Sequence, residues 1–246
     1  MAPRKKKDID AILRDWPLEP GELCVRLVRG SDSREVIQMR VEMGVLQLEV
    51  SNRPDGQRPH GADTFFDYLL AEAIHSGDDY RLSEEQCGEV DREFLQFYHR
   101  RICWLQLRDF ARAVRDADHS LAMMDFVKTR SPSDDWVESH EQYRPFILFH
   151  RTQASALAAL EEDGPEAAIG QINQGVGRIR AVYEENDALE DFDDDEMVGR
   201  LEQLKEALRD HFNVGRTLNE QLAEAIASEQ YELAAKLRDE IARREV

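Results

Sequence analysis

Near its start the chain alternates apolar and polar residues with a period of two. Over residues 22–50 the apolar positions are Leu23, Val25, Leu27, Ile37, Met39, Val41, Met43, Leu46, Leu48 and Val50. Such alternation is typical of strands that bury one side. Turn-forming residues at 30–33 and Gly44 divide the segment into three runs. The pattern therefore predicts a three-stranded antiparallel meander with one apolar and one polar face.

From Thr64 onward the apolar residues recur every three or four positions, which predicts helices. The predicted helices cover residues 65–76, 84–107, 110–131, 143–162, 165–182 and 196–213. Ser83 and Gln86 have the spacing of a capping box, and Pro165 suits a first helical turn. Trp136 falls in a polar connection, and Gly215 is placed to end the helix that begins near Glu196. The chain is therefore predicted to be α+β and mainly α.

A weak internal repeat occurs among these helices. Residues 108–121 align with residues 163–176, placing Ala113 and Val114 over Ala168 and Ile169. This pattern is similar to the second helix of a tetratricopeptide unit. The period is longer than the ~34 residues of that family, and its usual glycine is missing. The resemblance implies stacked helical hairpins with a concave protein-binding face, and an ordinary helical bundle is the alternative.

The last thirty residues predict two short amphipathic helices joined by a tight turn. Thr217 and Glu220 have the form of a capping box. The first helix carries Leu218, Leu222, Ala225 and Ile226, and the second carries Tyr231, Ala234, Ala235, Arg238 and Ile241. A hairpin this small buries little apolar surface, so we expect it to lean on another surface or on a second copy of itself.

These residues also resemble the UVR motif of the excision-repair proteins UvrB and UvrC, ClpC-type chaperones and adaptors such as McsA. The matching positions are Leu222, Ala225, Glu229, Tyr231, Glu232, Ala234, Ala235, Leu237, Arg238, Asp239 and Ile241. The resemblance implies a helical hairpin that binds another protein, a UvrB-like or Clp-type candidate, or a second UVR-like hairpin through self-association. The alternative is a hairpin that only packs on its own domain.

The resemblance implies different roles for the apolar and the polar side chains of the hairpin. Apolar contact to the partner is expected from Leu222, Ile226, Tyr231, Leu237 and Ile241. The polar contacts that fix the register of the partner are expected from Glu232, Arg238 and Asp239. Residues 214–216 would act as a hinge that lets the hairpin move relative to the rest of the chain.

The charge of the chain restricts its partners. Its 246 residues carry a formal net charge of −19. This argues against binding nucleic acid or an anionic membrane through a general basic surface. The basic run at Arg4–Lys7 lies in a predicted flexible tail of residues 1–20, with a nucleic-acid arm as the alternative. No apolar run is long enough to span a bilayer, and no signal peptide is evident.

The cysteine pattern bears on the compartment. Cys24, Cys87 and Cys103 are widely spaced and contain no C-x-x-C pair. They fit reduced thiols and a cytoplasmic location better than a disulfide framework. McsA-like adaptors carry such cysteine pairs, so this chain departs from that family member.

Two segments are candidates for small binding sites. In the loop at residues 52–61, Arg53, Arg58 and His60 would gather around an anion or an acidic side chain, and an ordered connection is the alternative. The acid-rich run at 184–196 imitates a calcium loop through Asp191, Asp193, Asp195 and Glu202. The glycine that such a loop requires is replaced by Glu196. A solvated acidic run is the alternative, and no metal site is predicted.

The sequence predicts a non-enzymatic interaction or adaptor protein without a cofactor. Nucleotide-binding loops, a nucleophile elbow, an H-E-x-x-H pair and the helicase and nuclease motifs of the repair proteins are absent from it. The alternatives are an accessory factor in nucleotide excision repair, and an enzyme or ligand-binding protein with its site at the loop of Arg53. The predicted segments are a flexible basic tail at 1–20, a β-meander with its loop at 21–62 and helical hairpins at 63–183. An acidic linker with a connecting helix follows at 184–215, and the terminal hairpin covers 216–246.

Overall fold

The computed structural model describes residues 8–77 and 79–244, so the basic run at Arg4–Lys7 lies outside the described residues. The protein is mainly α-helical with a small antiparallel sheet, as the sequence predicted. The chain divides into two compact units between Tyr143 and Arg144. The boundaries predicted for the sequence segments stay predictions.

In its described residues, 8–77 and 79–143, the first unit contains the sheet and five α-helices. The strands are β1 (Val25–Arg29), β2 (Glu35–Val41) and β3 (Gly44–Glu49). The helices are α1 (Asp10–Asp15), α2 (Phe65–Ser76), α3 (Glu84–Leu107), α4 (Phe110–Lys128) and α5 (Asp134–Glu141). A short 3-10 helix at Pro59–Gly61 precedes α2.

The sheet has the order β1-β2-β3, and both pairings are antiparallel. Ile37 lies opposite Leu48 and Met39 opposite Leu46, so the predicted apolar positions share one face. Ile37 is fully buried. Val36 points to the opposite face and is also buried, so the predicted polar face is partly covered. Met43, predicted within a strand, lies instead in the β2–β3 turn and is 91% exposed.

Side-chain caps open the helices α2 and α3 of the first unit. The Thr64 hydroxyl accepts the amide of Asp67 at 3.0 Å, and the capping box of Ser83 opens α3. The placement of Trp136 in a polar connection was wrong, because it lies in α5. Its indole Nε1 donates to Asp91 Oδ1 at 2.9 Å, which ties α5 to α3.

Helix α1 was also missed within the predicted tail. The residue that follows it, Trp16, contacts the sheet through two arginines. Its carbonyl accepts from Arg40 Nε at 3.1 Å, and the Arg26 guanidinium lies 4.1 Å from the centre of its ring. These contacts were invisible to the pattern because α1 buries no residue of its own.

Buried charged side chains of α3 connect the sheet and the helices of the first unit. Arg100 forms two 2.8 Å hydrogen bonds to Asp116 and donates to the carbonyls of Glu49 (3.1 Å) and Asn52 (2.7 Å). The fully buried Glu93 accepts the amides of Phe65 and Phe66, at 2.6 and 3.0 Å, so a residue of α3 caps the start of α2. These bonds satisfy charges that would otherwise be costly to bury.

The second unit is entirely helical in the part that the structure describes. Its helices are α6 (Arg144–Glu162), α7 (Pro165–Glu185), α8 (Glu196–Phe212), α9 (Leu218–Ala227) and α10 (Tyr231–Arg244), with a 3-10 turn at Leu189–Asp191. Pro165 opens α7 as predicted. Helix α8 ends at Asn213 in the left-handed conformation (φ 53°), not at Gly215, because asparagine tolerates that conformation.

Helices α6 and α7 form a closely packed pair. Ala154, Ala156 and Gly175 are buried, and a Cβ at position 175 would overlap the side chain of Thr152 on the facing helix. Helical hairpins are therefore present, as predicted. The tetratricopeptide-like resemblance is not confirmed. No helix in the described part of the chain is both long and apolar enough to cross a membrane.

Candidate functional site: the C-terminal hairpin

The hairpin begins and turns as the sequence indicates. Thr217 Oγ1 accepts the amide of Glu220 at 3.3 Å, and Glu220 Oε2 accepts the amide of Thr217 at 2.8 Å, which completes the capping box. The turn uses Glu229 at a positive φ of 56°. The amide of Gln230 then donates to the Ala225 carbonyl at 2.7 Å, which closes the end of α9. Local hydrogen bonds therefore define both ends of α9.

The interior of the hairpin is small. Ala225, Ala234 and Leu237 are buried, and Leu218 and Leu222 pack against them. The alanines allow the two helices to approach closely. Leu222 and Leu237, predicted as partner contacts, therefore face their own hairpin instead of projecting outward.

Among the described residues of the hairpin, three large apolar side chains face solvent. Tyr231 is 69% exposed, Ile226 55% and Leu233 45%. Tyr231 and Leu233 line a shallow groove at the hairpin tip, together with Glu229, Gln230, Glu232 and Lys236. Clustered exposed apolar side chains with a polar rim are typical of protein-interaction surfaces. We call Ile226, Tyr231 and Leu233 the exposed face.

The polar residues predicted to bind a partner are also outside the hairpin core. Glu232 is exposed at the groove, and Arg238 pairs with its neighbour Asp239 at 3.0 Å. Ile241 is half-buried near the end of α10. Leu233 was not predicted as a partner contact, because it lies outside the helical stripe of Ala234, Leu237 and Ile241. An apolar residue left off the buried stripe was the available signal.

The base of the hairpin contacts the preceding helices through Glu220. Its Oε1 accepts from Asn173 Nδ2 of α7 at 2.9 Å and from the Arg209 guanidinium of α8. Partial burial by itself acts to raise the pKa of Glu220. Hydrogen bonds from Asn173, the Thr217 amide and Arg209, together with the positive charge of Arg209, outweigh burial and place that pKa below its ordinary value.

The three residues of the predicted loop site have separate contacts. Arg53 is 3% exposed, and its Nη2 donates to Glu89 at 2.9 Å while its Nε lies 3.5 Å from Glu93. Arg58 pairs with Asp63 at 2.5 Å, and the His60 ring stacks on Tyr68 with centroids 4.0 Å apart. The charge of Arg53 is engaged inside the unit, and an anion site at this loop stays a prediction.

The acidic run is built around a helix cap. Asp195 Oδ1 accepts the amides of Met197 (2.7 Å) and Val198 (2.9 Å), and Oδ2 accepts the Tyr183 hydroxyl at 2.5 Å. Burial and this bond raise the pKa of Tyr183 to about 12, so the phenol remains a donor. Within residues 8–77 and 79–244, no cluster of three or more His, Cys, Asp or Glu side chains could hold a metal ion.

The C-terminal segment is thus a short two-helix hairpin with exposed apolar side chains. Residues 215–245 match the family model of the UvrB/UvrC motif, known as UVR. The chain therefore carries a UVR motif, which is a protein-interaction module. No curated protein and no solved structure gives a significant match to the chain.

Proposed function

We propose that this protein is a non-enzymatic adaptor that docks on a partner protein through the exposed face of its UVR hairpin. The observation that carries the proposal is the exposure of Ile226, Tyr231 and Leu233 on a hairpin whose own core uses other residues. Large side chains left in water at a helical tip gain free energy when a partner covers them. In this proposal the chain acts by binding and not by catalysis.

The partner candidates follow from the motif. UVR motifs occur in DNA-repair and protein-interaction contexts, which is consistent with docking. A UvrB-like or a Clp-type partner is our inference from the resemblance of the motif. Aromatic side chains supply much of the binding energy in many interfaces, so Tyr231 is the expected anchor. Glu229 and Glu232 at the groove would set the orientation of the partner through charge.

The test is affinity capture with the intact chain and with the double variant Ile226→Gln/Tyr231→Gln. Both positions are exposed, so the double variant is expected to fold like the wild type. We expect it to lose the partner that the wild type retains, and purified UvrB-type and Clp-type proteins then identify which class binds. Removal of residues 216–246 should abolish capture in the same way and leave the rest folded.

The matched control is Ile74→Gln, which changes an 82% exposed isoleucine on α2. It should capture the partner as well as the wild type does. Equal capture by the double variant, or equal loss in the Ile74→Gln control, would refute docking through the exposed face. A truncated chain that melts as a whole would instead make the hairpin part of the structural core.

The motif also supports an accessory role in nucleotide excision repair as a second proposal. In that role the basic run Arg4–Lys7 would contact DNA. Such electrostatic binding strengthens as salt is lowered. A gel-shift titration at low salt should then give a shifted band that disappears when the four basic residues are replaced by glutamine. An unshifted band at low salt removes the DNA contact.

A further inference from the structure

Glu220 has contacts that a helix cap alone does not need. One carboxylate oxygen accepts the Thr217 amide within the capping box. The other accepts from Asn173, 47 positions earlier on α7, and from Arg209 on α8. A single side chain therefore joins the start of α9 to two other helices of the same unit.

The surroundings favour a strong contact. The side chains of Arg209 and Glu220 are only 16% and 19% exposed. Hydrogen bonds between charged groups are roughly twice as strong as those between neutral groups, and screening by water is reduced when they are partly buried. Lys205 Nζ donates to Asn173 Oδ1 at 3.3 Å, which fixes the amide so that its Nδ2 points to Glu220.

The apolar cluster of the hairpin does not provide a comparable connection. Its buried members and the leucines packed on them come from α9 and α10 within the described residues. The covalent connection through residues 214–216 contains Gly215, which restricts the backbone little. The orientation of the hairpin therefore depends on polar contacts at its base.

We propose that Glu220 is a positioning residue that latches the hairpin to α7 and α8 and holds its exposed face in one orientation. The latch consists of Glu220, Asn173 and Arg209, supported by Lys205. It opposes the free movement that residues 214–216 would otherwise allow. The latch requires no partner, so it stands or falls separately from the docking proposal.

Residual dipolar couplings of the backbone amides in the full chain test the latch. In the wild type, the couplings of α7, α8, α9 and α10 should fit one alignment tensor. The variant Asn173→Ala/Arg209→Gln breaks the latch and leaves the capping box of Thr217 intact. We expect the couplings of α9 and α10 to shrink by roughly half in this variant, as in a segment that reorients over a limited range.

Two further variants separate a latch from a general loss of structure. Arg209→Lys keeps the positive charge and should restore most of the common alignment when Asn173 is present. Arg216→Gln is the matched control, because it breaks the exposed Arg216–Glu224 pair of the same hairpin. It should leave all couplings unchanged.

The latch is wrong if α9 and α10 already need a separate, weaker tensor in the wild type. Unchanged couplings in the double variant, or an equal loss in the Arg216→Gln control, would also refute it. If far-UV circular dichroism shows that the double variant has lost helix, Glu220→Gln replaces it. That variant keeps an acceptor for the Thr217 amide but loses the charge, and unchanged couplings would refute the latch.

Discussion

The second unit contains two helical hairpins that place their apolar residues differently. The pair α6–α7 buries large side chains, among them Ile147, Ile169, Ile172 and Ile179. The pair α9–α10 buries two alanines and Leu237, and leaves Ile226, Tyr231 and Leu233 exposed. The same supersecondary motif therefore serves as a core in one case and presents an exposed apolar face in the other.

The comparison shows where each hairpin derives its stability. In α6–α7 the apolar side chains stabilise the unit itself, because burial removes them from water. In α9–α10 the helix caps and the contacts of Glu220 contribute a larger share of the stability, because the apolar interior is small. Substitutions in the two hairpins should therefore differ in how much they destabilise the protein and in how many helices they affect.

The largest effect is expected from truncating a buried side chain of α7. Ile172 is fully buried, so Ile172→Ala should lower the free energy of unfolding by about 2–5 kcal/mol. Urea titration followed by circular dichroism measures this loss. The hairpin counterpart Leu237→Ala should instead raise amide exchange in α9 and α10 and leave α6 and α7 protected. A global loss of equal size from Leu237→Ala would remove the distinction between the two hairpins.

The next effect concerns close helix packing. Gly175→Ala places a methyl group against Thr152, whose hydroxyl is held by the Leu148 carbonyl at 2.7 Å. Overpacking of this kind costs about 1–3 kcal/mol. On the same helix, Gly177 has open space around it, so Gly177→Ala should stabilise the unit by up to about 1 kcal/mol. Thermal melts that shift in the same direction for both variants would contradict the close packing at Gly175.

The smallest effect is a pH dependence confined to the hairpin base. The folded pKa of Glu220 lies below its ordinary value of 4.5. The stabilising contribution is therefore present above that ordinary value and is lost as pH falls through the lower folded pKa. Amide exchange in α9, normalised to α6 and α7, should accelerate below pH 4.5 in the wild type. Glu220→Gln should show no such step, and an identical step in both proteins would exclude Glu220 as its source.

Local signals made most of the fold predictable. Ser83 and Thr217 form capping boxes, and each opened a helix where it was expected. Helix α5 was missed because its eight residues offer a weak periodic signal. The end of α8 was predicted at the right place, but its cap was assigned to Gly215 and not to Asn213, because asparagine competes with glycine for the left-handed position.

The sequence located the candidate site within residues 216–246 but did not predict which of its side chains are exposed. Periodicity placed Leu222 and Leu237 among the apolar residues of the hairpin, yet it could not decide whether they face a partner or each other. That decision depends on how α9 and α10 pack. The contacts of Glu220 with Asn173 and Arg209 were equally hidden, because they join positions far apart in the sequence.

The Arg100 contacts bear on how quickly the first unit folds. Its guanidinium binds carbonyls 51 and 48 positions earlier, and Glu93 caps a helix whose first amide lies 28 positions before it. Such non-local contacts form slowly, because distant chain segments must meet before the bonds repay the lost entropy. The adjacent helix pairs of the second unit form largely local contacts. During synthesis and refolding alike, we expect the first unit to set the overall rate.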